Sequence, residues 1–211
     1  MTLPTSGLIT VNDRGARAAT TFGSVAAAGG NMVFIKKLTA SSSGTLSFVD
    51  GTSSVVLDST YKEYLFTFNN MHPATNSVEF QVNFRDGGTD YDATKTTTFF
   101  NAEHAEADST TGLSYITADD LAQGTGFQPL TIDTGNRGDE SCSGTLQLFN
   151  PSSTTFVKHF IARTNNYVSN NFSEDSYIAG YCNVTAAIDG VQFKFASGNI
   201  DSGDICLYGI L

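Results

Sequence analysis

Asp86, Asp90 and Asp92, in the stretch Asp86-Gly-Gly-Thr-Asp-Tyr-Asp92, are the residues best suited by type and spacing to do chemistry. Three carboxylates on a glycine-rich loop offer oxygen ligands to a hard cation, and calcium accepts such irregular loops. The spacing is not that of an EF-hand, and the later bidentate Glu is absent. The same composition also suits a solvated turn, where Asp and Gly are favoured for backbone reasons. A second group, Glu103-His-Ala-Glu-Ala-Asp108, sets His104 between carboxylates. A zinc hydrolase needs two His at helical spacing around a Glu, and only one is present. His72, His104 and His159 are scattered, and His159 alternates with Phe160, which predicts an imidazole on the rim or surface. No Gly-x-Ser-x-Gly elbow exposes a nucleophile, and no glycine-rich phosphate loop occurs. Asp119-Asp120 and Asp139-Glu140 are pairs that any acidic chain supplies. The expectation is a non-enzymatic protein with no obligatory cofactor. Calcium at residues 86–92 is the one ion for which the sequence leaves room, and Asp90, Tyr91, Glu103 and His104 are the candidate ligand-contacting residues.

The elements that must position these residues follow from composition. Hydrophobic residues make up 40% of the chain and charged residues 15%, the balance being rich in Ser, Thr, Asn and Gly. Ser, Thr and Asn compete with a helix for backbone hydrogen bonds, whereas Thr, Phe, Tyr and Val suit a pleated surface. A net charge of −10 repels phosphate backbones, which argues against nucleic-acid binding. Trp is absent, so only tyrosines such as Tyr91, Tyr115, Tyr167 and Tyr177 offer a sugar-stacking ring, and packing with a wet hydroxyl explains them equally well. Cys142, Cys182 and Cys206 have no metal or redox spacing. They read as small buried thiols, with one disulfide plus one free thiol as the alternative. The start lacks the basic and apolar regions of a signal peptide, and no apolar run approaches the roughly 20 residues of a membrane span. Synthesis in a cytoplasm without membrane insertion is expected, so the acceptor-like Asn183-Val-Thr185 carries no weight.

Residues 1–31 are small and glycine-rich and predict an extended N-terminal arm, with a weak helix around Arg14 to Ala19. Such a segment cannot bury enough apolar area to fold alone. Residues 32–211 read as strand after strand. Met32–Leu38, Thr45–Val49, Ser54–Leu57, Lys62–Phe68, Val78–Phe84 and Thr94–Phe100 come first, with a tight Asp50-Gly51 turn. Leu113–Ile116 is short, and Thr117–Gln123 carries the capping signals of a helical turn. Gly144–Phe149, Thr155–Ala162, Asp175–Tyr181 and the pair flanking Ser197-Gly-Asn follow. In Val191-Gln-Phe-Lys-Phe195 the apolar and polar residues alternate, as in a half-buried antiparallel strand, and the last strand runs to the end of the sequence. The sum predicts an all-β fold, an antiparallel sandwich of jelly-roll type, with the irregular middle (91–141) as loops at one end.

Leu3-Pro-Thr-Ser-Gly-Leu-Ile-Thr-Val-Asn-Asp13 resembles the opening of many small structural proteins of tailed bacteriophages, Leu-Pro-x-Ser-Gly-x-Ile-x-x-x-Asp. The body is similar to structural proteins of marine phages, especially those of cyanobacteria. The likeness lies in Gly44-Thr-Leu-Ser-Phe-Val-Asp-Gly-Thr-Ser-Ser-Val-Val-Leu-Asp-Ser-Thr-Tyr-Lys-Glu-Tyr64, Asn150-Pro-Ser-Ser-Thr-Thr-Phe-Val-Lys-His-Phe160 and Ala196-Ser-Gly-Asn-Ile-Asp-Ser-Gly-Asp-Ile-Cys-Leu-Tyr-Gly-Ile210. After Asp13 the usual opening continues into an amphipathic run, where this chain has Arg14-Gly-Ala-Arg-Ala-Ala19. The resemblance implies a virion component on head or tail, a fibre or a capsid decoration, with other virion proteins as partners. It is expected to form a homo-oligomer, a trimer being favoured, with Leu3, Pro4, Ile9 and Val11 as assembly contacts of the arm. Host-surface glycans or receptors would then meet loops 86–92 and 103–112 at a shared free end. Two other readings stand beside it. One is a jelly-roll carbohydrate-binding module or lectin holding calcium in the acidic loop. The other is a polysaccharide depolymerase.

Overall fold

Strict two-residue alternation of apolar side chains runs through most of this chain, and it folds accordingly. The computed structural model describes residues 31–211. The arm residues Leu3, Pro4, Ile9 and Val11, and the helix expected near Arg14 to Ala19, lie outside the described residues. Twelve strands and no helix occur among the described residues: β1 (Met32–Thr39), β2 (Leu46–Val49), β3 (Glu63–Pro73), β4 (Phe80–Arg85), β5 (Lys95–Ala105), β6 (Thr111–Tyr115), β7 (Gln128–Pro129), β8 (Cys142–Phe149), β9 (Lys158–Val168), β10 (Phe172–Cys182), β11 (Gly190–Phe195) and β12 (Ile200–Ile210). No helix long and apolar enough to cross a membrane is present among them.

The strands form two antiparallel sheets. The larger has the order β1-β12-β3-β8-β9-β10-β5-β6 and the smaller β2-β11-β4-β7. With β5, β6, β9 and β10 set aside, the remaining eight strands pair first with last, second with seventh, third with sixth and fourth with fifth. Those pairs are β1·β12, β2·β11, β3·β8 and β4·β7. A single long hairpin wrapped over two facing sheets gives this nesting, which is the jelly-roll arrangement. The other four strands widen the larger sheet beyond β8.

The two sheets meet through phenylalanines. Phe193 on β11 packs against Phe48, Phe66, Phe68 and Phe80, with ring centroids 5.1–6.4 Å apart. These residues are essentially fully buried, and such ring pairs add to the area they remove from water. Close approach also matters within a sheet. A Cβ on Gly144 of β8 would sit 2.3 Å from the Arg163 carbonyl oxygen and 2.7 Å from Thr164 Cα on β9. Both are backbone atoms that cannot swing away. Gly144→Ala is expected to lower unfolding free energy by about 1.5 kcal/mol, as overpacking does. Urea denaturation checks this, and an unchanged midpoint would mean that β8 and β9 part more easily than their pairing indicates.

Three expectations fail for identifiable reasons. Ser54–Leu57 is not a strand. Val55 and Leu57 are buried, but the Gly51 N–H donates to the Val55 carbonyl and the Leu57 N–H to Asp50 Oδ1, which closes a local turn. Thr117–Gln123 forms no helical turn, because its backbone is claimed by β5. The Thr97 N–H donates to the Leu121 carbonyl, the Leu121 N–H to Thr97 Oγ1, and Lys95 and Gly124 exchange both bonds. The middle of the chain is not an end-loop cluster either. β5 and β6 extend the larger sheet, and residues 128–134 bridge the sheets: the Leu130 N–H donates to the Phe80 carbonyl on β4, while Thr164 on β9 donates to the Leu130 carbonyl.

Candidate functional site

β9 and β5 meet the smaller sheet where Phe84 on β4 packs against Phe160 and where the Thr97 hydroxyl donates to Gln128 on β7. Towards both ends of β9, β10 and β5 the inner face carries polar residues. One cross-strand row is Lys95–Cys182–Lys158, on β5, β10 and β9. Both lysines are fully buried. Lys158 Nζ donates to the carbonyls of Ser153 (3.2 Å), Val184 (2.7 Å) and Ala186. Lys95 Nζ donates to the Ala93 carbonyl at 2.8 Å. Burial lowers the pKa of both, that of Lys95 to about 8, against a small opposing pull from the carboxylates of Asp86 and, for Lys95, Asp92. Between them the Cys182 thiol is pushed up to about 12 by burial.

Eight residues further along, towards the β9–β10 turn, lies a second polar group. Asn166 on β9 stands opposite Glu174 on β10, and Glu174 stands opposite Glu103 on β5. The Asn166 amide nitrogen donates to the Asp133 backbone carbonyl and, at 3.4 Å, to Glu174 Oε2. Burial, with the nearby charges of Asp133 and Glu103, raises the Glu174 carboxyl to about 7. No ion pair among the described residues includes Glu174.

The outer face of the same strands carries a different mixture. Arg163 binds Asp175 with Nη2 at 2.6 Å and Nε at 3.0 Å, which lowers the Asp175 pKa. Its guanidinium lies 4.8 Å from the Tyr177 ring centroid. On the other side Tyr177 stacks on Phe100, with centroids 4.9 Å apart and planes 3° from parallel. Phe100 and Tyr115 stay exposed at the free edge. A shallow groove of about 420 Å³ runs beside this ladder, lined by Ser143, Thr145, Arg163, Asn165 and Asp175.

The residues singled out by sequence are not gathered into one place. Asp86, Asp90, Tyr91 and Asp92 lie before β5, whereas Glu103 and His104 lie at its far end. Eight residues of extended strand separate Lys95 from Glu103, about 26 Å, so loops 86–92 and 103–112 do not share an end of the sandwich. Residues 103–105 and 111–112 belong to the β5–β6 hairpin itself. Asp90 is exposed and meets the Thr89 hydroxyl at 3.3 Å. Glu103 and His104 face opposite sides of the sheet, and His104 Nε2 contacts Asp108 Oδ1 at 3.1 Å. Among the described residues no three His, Cys, Asp or Glu side chains converge as a metal centre. His72 Nε2 pairs with the Arg137 carbonyl. All three cysteines are unpaired, with Cys142 and Cys182 buried.

The polar inner groups escaped the sequence reading, although a signal for them exists. In β9 the inward parity is Lys158, Phe160, Ala162, Thr164, Asn166, Val168, so Phe160 and Ala162 already mark Lys158 and Asn166 as buried. Comparison with known protein families, with characterised proteins and with solved structures returns no match.

Proposed function

We propose that this chain is a non-enzymatic structural protein of a bacteriophage particle, displayed on its surface as a fibre or capsid decoration and assembled as a homo-oligomer. The observation that carries the reading is the nested eight-strand jelly roll of residues 31–211, an arrangement recurrent in viral capsid and lectin domains. It follows a 30-residue N-terminal segment with the phage-like Leu3-Pro-Thr-Ser-Gly7 opening. The widened sheet supports it further. Exposed Met32 and Phe34 on β1, with Ile161 on β9 and Phe100 on β5, supply apolar surface of the kind that subunit contacts bury. Immunogold labelling of purified particles is expected to mark one defined position on each. Unlabelled particles, or a strictly monomeric protein in analytical ultracentrifugation, would falsify the assignment.

A second reading, a jelly-roll carbohydrate-binding module, is favoured by the outer groove. Its hydroxyl, amide and charged lining beside aromatic rings is the mixture that orients sugars. Glycan-array binding that is lost in Arg163→Ala would support it, and the groove would then serve host-surface attachment on the particle.

A further inference from the structure

Buried polar atoms without a hydrogen-bond partner are rare in folded proteins, and each one needs an explanation. Three occur here among the described residues: Asp133 Oδ1, Asn166 Oδ1 and Ser176 Oγ. Asn166 and Ser176 are 1% and 0% exposed. All three atoms belong to the layer between residues 130–134 and strands β9 and β10. Asn166 is paired across β9–β10 with Glu174, and Ser176 is the next inward residue along β10. The Asn166 amide nitrogen bonds both the Asp133 carbonyl and Glu174 Oε2. Its identity as nitrogen is therefore fixed by two acceptors, and the orphaned atom is an oxygen. Asp133 Oδ1 and Asn166 Oδ1 can only accept, and the single proton of the Ser176 hydroxyl can serve only one of them, so at least one buried oxygen lacks a donor, an imbalance that a bound cation corrects.

We infer that Asp133, Asn166, Glu174 and Ser176 form a binding site for a hard divalent cation of calcium size. The donor set is two carboxylates, one amide oxygen and one hydroxyl, all hard oxygens of the kind calcium takes. It lacks the imidazole and thiolate that draw zinc or copper. Calcium tolerates irregular coordination and completes its six to eight ligands with water. Glu103, opposite Glu174 on the inner face, adds negative charge beside the site. The site is separate from the acidic loop 86–92.

The test uses the full chain, stripped with chelator and titrated with calcium chloride alone by calorimetry, with thermal unfolding in parallel. A single site with Kd on the order of 10⁻⁴–10⁻³ M is expected, the range of extracellular calcium modules, together with a rise in Tm as calcium is added. Glu174→Gln keeps the shape and is expected to weaken binding by about tenfold or more. Asp133→Asn, at a partly exposed position, should do the same and serves if the first variant does not fold. Asp90→Asn is expected to bind as the parent does. Absence of both heat and Tm shift up to about 10 mM calcium overturns the site. So does loss of binding in Asp90→Asn with retention in Glu174→Gln, which assigns the ion to the 86–92 loop instead.

Discussion

Lys158→Met is expected to destabilise the protein by about 4 kcal/mol. The ammonium group is fully buried at the first residue of β9 and reaches three backbone carbonyls, of Ser153, Val184 and Ala186. Ser153 lies in the turn before β9, while Val184 and Ala186 lie in the crossover from β10 to β11. One cation thus reinforces the link between two connections that are otherwise joined by the Ile188 N–H donating to the Pro151 carbonyl. Met fills the space but cannot donate, so three hydrogen bonds from a charged group, worth about 1.5–3 kcal/mol each, are lost. Relief of the ammonium's own desolvation, which lowers its pKa, offsets part of that. Chemical denaturation of the variant measures the loss. A change within about 0.5 kcal/mol, the range of ordinary surface substitutions, would show that the carbonyls find water and that the ammonium is not a structural cation.

The arm aside, the architecture was readable because apolar side chains alternate where two sheets face each other. Val78-Glu-Phe-Gln-Val-Asn-Phe84 and Lys62-Glu-Tyr-Leu-Phe-Thr-Phe68 each show a buried and a wetter parity, and both parities hold in the structure apart from Asn83. Asn83 is buried on the outward parity because residues 119–128 fold over it and its amide donates to the Thr125 carbonyl. Register and partner choice were not readable. The wrapping of β1 onto β12 and of β3 onto β8 depends on contacts separated by much of the chain, and local pattern carries no record of them. The candidate site was hidden for a related reason. Over β9, β10 and β5 much of the inner face is covered by residues 117–135, in which only the two-residue β7 is strand. A covering loop brings backbone carbonyls, and polar side chains such as Thr164, Asn166 and Lys158 are needed to satisfy them. The resulting strand reads as half polar on both faces, so its inward parity looks like solvent. Acidic loops, by contrast, are conspicuous in sequence because turns favour Asp and Gly, whether or not they hold anything.

Lys95→Met is expected to have the opposite sign from Lys158→Met, raising stability by about 2 kcal/mol at neutral pH. Lys95 is as deeply buried, but its ammonium has one carbonyl partner, that of Ala93, rather than three. Desolvation carries its pKa from 10.5 to about 8. That difference corresponds to a penalty of about 3 kcal/mol on the charged form, and loss of the bond to Ala93 returns about 1 kcal/mol. The pH dependence identifies the cause. The folded pKa is lower than the unfolded one, so between about pH 8 and 10.5 the unfolded chain holds a proton that the folded chain has released. Stability therefore rises with pH through that window, and below pH 8 the whole penalty is present. The groups facing Lys95 are Cys182 across the β5–β10 pair, together with Asp86 and Asp92. The Cys182 thiol is held at about 12 in the fold and works in the other direction at alkaline pH, so the informative quantity is the difference between parent and variant. That difference is expected to favour the variant at pH 7 and to shrink steadily towards pH 10.5. A variant less stable than its parent at pH 7, or a gap that stays constant with pH, would show that the Lys95 ammonium is stabilised by its surroundings. The two buried lysines would then share one role, and the contrast in their carbonyl partners would carry no energetic meaning.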